Sequence, residues 1–189
     1  MKLFNVAYSG NSYKVRLLLA QLGIPCEIVE VDILKGESRT AEFLKINPIG
    51  RTPVLDDDGF ILAESNAILA YLARGTKYLP DDRKKFGQVF QWMFFEQYSH
   101  EPFIATSRFW LQHKPDSREK TALLASKRDG GWAALAAFAS PLRRRYTSVT
   151  TETAMSDATK PERLTLGEAL KDFGFFSMLF AVVVSGPSV

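Results

Sequence analysis

Hydrophobic and polar positions along the first 75 residues change period repeatedly, from strand to helix and back. Residues 2–6 read as a short strand. After it, Val15, Leu18, Leu19 and Leu22 recur at i, i+3, i+4 and i+7, the spacing of one helix face. Asn11 or Ser12 is the predicted cap of this helix, and Gly23 its stop. Residues 26–31 give a second strand with β-branched Ile28, Val29 and Val31. A short helix is predicted over 40–45, ended by Asn47-Pro48. Two further strands, 54–56 and 60–62, are joined by Asp57-Asp58-Gly59, a hairpin signal. Ser65 is the predicted cap of a helix over 66–73.

The order is therefore β-α-β-α-β-β-α. Two strands joined through a helix lie parallel, and the hairpin adds an antiparallel edge. This is a thioredoxin-like arrangement. Residues 74–82, with Gly75, Pro80 and two aspartates, read as a linker, and beyond them the pattern turns helical. Phe86, Val89, Phe90 and Met93 form one stripe, with Trp92, Phe95 and Phe109 as further apolar surface. Asp116 stands three residues before Glu119, close to a capping box. The predicted architecture is an α/β thioredoxin-like domain over 1–75 followed by an all-α domain over 83–189. Its last part is atypical. Ala139-Ser140-Pro141 is predicted to interrupt a helix, and residues 146–159 are rich in serine and threonine, which disfavour helix.

Composition narrows the function classes. Lys and Arg number 24 against 21 Asp and Glu, a net charge of +3, too small and dispersed to predict nucleic-acid binding. The one basic cluster, Arg143-Arg144-Arg145, reads as a solvated turn or helix end. Cys26 is the only cysteine, so an intrachain disulfide and a cysteine-rich zinc site are excluded, and a reducing cytosol fits. Two histidines, His100 and His113, exclude a histidine-rich metal site. The first ten residues lack a signal-peptide pattern. The apolar run 173–184 is shorter than the roughly 20 residues a bilayer span needs.

The chemistry concentrates in three places. A dithiol oxidoreductase of this arrangement carries Cys-x-x-Cys at the start of the first helix, where this chain has Ser9-Gly10-Asn11-Ser12. Protein-based dithiol exchange is excluded. What remains is a hydroxyl near a helix N-terminus, where N–H groups and the helix dipole favour an anion. With no histidine nearby to serve as base, the serine is a donor to another molecule's thiolate rather than a nucleophile. Both serines are candidates, Ser12 also as a plain cap. Second, Thr52-Pro53 leads into a strand, as an edge or cis turn does. Such a turn frees the Thr52 backbone to pair with an extended peptide. An ordinary strand-entry proline explains it equally well. Third, Glu64-Ser65 opens a helix: the helix start suits a carboxylate and Glu64 an ammonium.

These residues carry a resemblance. The run Tyr8-Ser9-Gly10-Asn11-Ser12-Tyr13-Lys14-Val15-Arg16, the segment 47–55, and Glu64-Ser65-Asn66-Ala67-Ile68 resemble the amino-terminal domain of bacterial cytosolic glutathione S-transferases of serine type. The resemblance covers about residues 1–138. It implies that Ser9, with Ser12 as alternative, contacts the glutathione thiol. It further implies that Thr52 and Pro53 hold the cysteinyl backbone, Glu64 and Ser65 the γ-glutamyl end, and Arg51 the glycine carboxylate. The second domain then supplies an electrophile pocket, for which Tyr98, Phe103 and Arg108 are the candidates, with His100 and Phe109 beside them.

Glutathione is the implied co-substrate and a small electrophile the partner, with no metal, nucleic acid or membrane. A homodimer in the cytoplasm is the implied setting. Transferase activity is the leading expectation. A glutathione-dependent isomerase or disulfide reductase, and a non-catalytic binding module, are the alternatives. From about residue 139 the chain departs from the family pattern, as a divergent or frame-altered tail would.

Overall fold

A computed structural model describes the backbone of residues 1–153 and side chains through residue 137. The expectations for residues 154–189, including the apolar run 173–184, lie outside these. The chain divides into two compact units, the first containing residues 1–89 and the second beginning at Phe90.

The first unit is a four-stranded sheet, β1 (Lys2–Asn5), β2 (Glu27–Glu30), β3 (Val54–Asp57) and β4 (Phe60–Ala63), in the order β2-β1-β3-β4. β1 and β2 pair in parallel, as the crossover predicts, and β3 and β4 antiparallel, as the hairpin predicts; β1 and β3 also pair antiparallel, which neither signal indicates. The helices are α1 (Gly10–Leu22), α2 (Ala41–Ile46) and α3 (Ser65–Ala73). Alternation along the strands sends Phe4 and Val54 to one face and their neighbours Leu3 and Leu55 to the other. Phe43 of α2 joins Val31 and Val54 in a buried cluster on the first face, edge-on to the Phe4 ring at 5.9 Å. α1 and α3 pack together, α3 also lies against β3 and β4, and both bury their apolar stripes, Val15, Leu18 and Leu19 in one and Ile68, Leu69 and Leu72 in the other. Each such side chain contributes about 1.5–3 kcal/mol by leaving water.

α4 (Arg83–Phe95) carries the boundary between the units. Of its predicted stripe, Val89 and Met93 are buried, but Phe86 is 42% exposed. The second unit continues with a π-helical segment (Glu96–Ala105), α5 (Thr106–His113) and α6 (Arg118–Thr153). Pro102 sits inside the π-helical segment, and its carbonyl accepts from Lys127 Nζ of α6 at 2.6 Å. The buried Lys120 ammonium closes the turn after α5, donating to the Lys114 carbonyl and Asp116 Oδ1, both at 2.9 Å.

Four local expectations are corrected. α1 is capped by Ser9, not by Asn11 or Ser12, because the helix begins one turn earlier than its apolar stripe. Ser65 is the first residue of α3 rather than its cap. Glu64 occupies the cap position at φ 69°, and its side chain accepts nothing from the helix. α6 is capped by Ser117, whose Oγ accepts from Lys120 N at 3.0 Å, while Asp116 pairs with the Lys120 ammonium. The backbone of α6 also runs helical across Ala139-Ser140-Pro141 and Arg143-Arg144-Arg145 to Thr153, with neither the predicted interruption nor a turn. Residue propensity is a weak prior that context overrides.

Candidate functional site

The register of the sheet brings the three predicted features to one end. Phe4 of β1 pairs with Val54 of β3, and Val54 in turn with Ala63 of β4. The chain leaving β1 toward Ser9, the Thr52-Pro53 turn entering β3, and the Glu64-Ser65 step leaving β4 therefore all rise from the same row. Strand ends of this kind position loops on a rigid frame.

The loop from β1 into α1 is built by its own hydrogen bonds. Ser9 N–H donates to the Val6 carbonyl at 3.0 Å, and Arg16 Nη2 donates to the Ala7 carbonyl at 3.0 Å. The two serines have different partners. Ser12 is 0% exposed and its Oγ accepts the Val6 N–H at 3.2 Å. Ser9 is half-buried and its Oγ accepts the Ser12 N–H at 3.3 Å. A hydroxyl that accepts still has a proton to donate, so Ser9 both caps the helix and offers a donor at its start. Beside it, burial and then the Asp32 carboxylate push the Tyr8 phenol above its ordinary value, so Tyr8 stays protonated at neutral pH.

Thr52-Pro53 is a cis peptide bond. Its approach is fixed by the buried Asn47, whose Nδ2 donates to the Arg51 carbonyl at 2.8 Å and whose Oδ1 accepts from Ile49 N at 3.2 Å. Arg39 Nη1 donates to the Ile49 carbonyl at 2.9 Å. Gly50 is required here: its φ is 65°, and a Cβ would lie 2.7 Å from the Ser38 carbonyl and from Arg39 Nη1. No hydrogen bond among the described residues engages the Thr52 backbone. Arg51 is exposed.

Glu64 is exposed and Ser65 buried, its Oγ donating to Asn11 Oδ1 of α1 at 3.3 Å. One turn further along α1, the buried Lys14 ammonium donates to Asn66 Oδ1 at 2.8 Å. Asn11, Lys14, Asn66, Asn47 and Arg39 thus organise the site without standing out in the sequence. Only their position inside the three motif runs, or next to a glycine that needs room, gave a signal.

The residues predicted for an electrophile pocket are less concentrated. Tyr98 is 76% exposed and Arg108 is exposed. Phe103 is half-buried, with its ring 2.4 Å from where a Cβ on Gly130 of α6 would stand, so the ring lies close against that glycine. The Phe109 ring stacks obliquely on His113 at 5.0 Å. His100 is largely buried, and its Nδ1 lies 3.9 Å from the buried Glu96 carboxylate. Among the described residues no three potential ligands gather to hold a metal ion, and no helix is long and apolar enough to cross a membrane.

Residues 1–74 match the family "Glutathione S-transferase, N-terminal domain". The fold is similar to the glutathione S-transferase of Pseudomonas fluorescens, at TM-score 0.73 and 44% identity over 76% of this chain and 72% of that one. The glutathione S-transferase hmp2 of Hypomyces subiculosus is 45% identical over 97 residues, 48% of this chain and 45% of that protein. This chain thus spans about half the length of the curated relatives it matches. Ure2p in complex with glutathione is similar at TM-score 0.69 and 25% identity, over 80% of this chain and 68% of that one.

Proposed function

Because the chain belongs to the glutathione S-transferase family, we propose that it binds glutathione and activates the thiol for attack on small electrophiles. The observation that carries this reading is the hydrogen-bond arrangement at the start of α1. The Ser9 hydroxyl accepts the Ser12 N–H and keeps its proton for a ligand thiolate, next to the positive end of the helix. Both effects favour the charged form of the sulfur, so more nucleophile is present at neutral pH. The burial of Ser12 and its engagement with Val6 support Ser9 as the thiol contact.

The remainder of the tripeptide follows the same sheet end. The Thr52 N–H and C=O pair with the cysteinyl backbone as an added strand, with Pro53 shaping the turn. Glu64 meets the γ-glutamyl ammonium, and Ser65 with the start of α3 meets its carboxylate. The Arg51 guanidinium, exposed beyond the Gly50 turn, takes the glycine carboxylate. The thiol proton passes to solvent as the thiolate forms. The thiolate then displaces a leaving group, which departs with its bonding pair, or adds to an activated double bond, whose carbanion takes a proton from solvent. In this reading residues 1–75 serve glutathione and 83–189 the electrophile, with Tyr98, Phe103 and Arg108 as the residues to probe. The setting is a cytoplasmic homodimer without a metal.

Turnover of a panel of electrophiles and disulfides, with glutathione present, tests the proposal. The expected result is conjugation of electrophiles. Turnover of disulfides alone makes the protein a reductase, and glutathione retention without any turnover makes it a binding module.

A further inference from the structure

Among the described residues, the largest fully buried side chain is not apolar. Lys14 is 2% exposed, on the second turn of α1, and donates to Asn66 Oδ1 of α3 at 2.8 Å. Taking an ammonium out of water is costly, and a methionine of the same reach would fill the space without that cost. Lys14 stands three residues after Asn11, on the same helix face, and Asn11 is itself bound by Ser65 at 3.3 Å. One face of α1 therefore grips the first two residues of α3, Ser65 and Asn66, through two hydrogen bonds that each cross more than fifty residues of chain. The sheet register brings the two helix starts to one end, and these two side-chain bonds join them directly.

That spacing matters for the glutathione reading, on which this inference rests. The thiol sits at the start of α1 and the γ-glutamyl end at the start of α3, so one ligand must reach both. We propose that Lys14 is a positioning residue: by holding Asn66 it fixes the start of α3 relative to that of α1, so that a single tripeptide engages Ser9 and Ser65 together. A frame held at the right span before binding spares the ligand the cost of organising it.

Lys14→Met, Asn66→Leu and the double variant, each checked for folding by thermal melting, are titrated with glutathione and with cysteinylglycine, which keeps the thiol but lacks the γ-glutamyl end. Each single variant is expected to weaken glutathione binding about tenfold, as small misplacements do. The double variant is expected to be no worse than either single, because both remove the same bond. Cysteinylglycine, which does not reach the start of α3, is expected to bind all four proteins alike. If Lys14→Met fails to fold, Asn66→Leu carries the test from the other side of the bond. Glutathione binding unchanged in the variants overturns the inference alone. So do equal losses for both ligands, which mark general damage, and losses that add in the double variant. A wild-type chain that does not hold glutathione overturns the transferase reading and this inference with it.

Discussion

The two helices that meet at the end of the sheet begin in opposite ways. α1 starts from an extended Ser9 (φ −79°, ψ 125°) whose hydroxyl accepts a hydrogen bond from its own helix. α3 starts from Glu64 in the left-handed region (φ 69°), whose side chain accepts nothing from the helix, while Ser65 turns its hydroxyl to Asn11. α1 is thus stabilised by local chemistry, and its cap retains a proton to give away. α3 is held at its start by another helix, and the backbone there carries strain that a residue with a Cβ pays for with about 1–3 kcal/mol. One start is built for stability and lends itself to chemistry, whereas the other is costly as a piece of folding and makes sense as a place for a ligand. Substitutions at the two starts should therefore separate stability from binding in opposite directions.

The largest effect is expected at Ser9. Ser9→Ala removes the donor proposed for the glutathione sulfur, a contribution of about 1.5–3 kcal/mol, which at about 1.36 kcal/mol per unit is expected to raise the bound thiol pKa by roughly one to two units. Conjugation at neutral pH falls by about tenfold to a hundredfold and recovers in part at higher pH, where the thiol ionises unaided. Loss of the cap also costs about 1 kcal/mol of stability. Ser12→Ala leaves a buried Val6 N–H without its acceptor, so it lowers stability by about 1–3 kcal/mol and leaves the thiol where it was. Thiolate absorbance followed against pH in both variants decides between the serines, and a shift in Ser12→Ala alone reverses their roles.

At α3 the signs part. Glu64→Gly relieves the left-handed backbone and, after the chain-entropy cost of glycine, is expected to raise stability by about 1 kcal/mol. The same change removes the partner proposed for the γ-glutamyl ammonium, and glutathione binding is expected to fall about tenfold. Thermal melting and ligand titration on one preparation check both halves. A variant that is less stable and binds as before removes the contrast between the helix starts.

Sequence reading reached the frame more fully than the starts. The β-α-β-α-β-β-α order and the apolar stripe of α1 follow from hydrophobic period, because they are dictated by which faces leave water. The β1/β2 and β3/β4 pairings follow from the crossover and the hairpin turn, and the antiparallel β1/β3 pairing carries no local signal. The caps are less legible because a side chain caps by backbone geometry, and at α1 three hydroxyl or amide residues, Ser9, Asn11 and Ser12, compete within four positions. The left-handed Glu64 carries no signal, since glutamate has no preference for that region. The burial of Lys14 carries no signal in the local pattern, since its partner Asn66 stands 52 positions away. Pro141 misled in the other direction: the backbone of α6 stays helical through a residue that removes one donor and costs about 3 kcal/mol in a helix interior.

A third helix start serves as the control for the first two. α6 is capped by Ser117 in the manner of α1, its Oγ accepting from the N–H three residues on at 3.0 Å, but it belongs to the second unit and to none of the three motif runs. Ser117→Ala is expected to cost about 1 kcal/mol of stability with glutathione binding and thiol pKa unchanged. If Ser117→Ala moves the thiol as Ser9→Ala does, the effect at Ser9 is loss of a cap and not loss of a donor.

The smallest effect is expected at the far end of α3, where Tyr71 OH donates to Asp57 Oδ2 of the hairpin at 2.6 Å. That hydrogen bond, followed by the loss of water around the phenol and the charge of Asp57, raises the Tyr71 pKa above its ordinary value. A phenol whose folded pKa lies above its unfolded one binds its proton more tightly when folded. Its contribution to stability is therefore complete below the unfolded value, about 10 for tyrosine, and is lost as pH climbs through the folded value. Tyr71→Phe should melt slightly below the wild-type protein at neutral pH, and the gap should close as the solution is made alkaline. Because the pair is exposed, salt and solvent weaken it, and ligand binding at the opposite end of α3 should not register the change. Melting curves of the two proteins from neutral to alkaline pH test this, and a gap that widens with pH means that the hydrogen bond to Asp57 is not what holds the hairpin to α3.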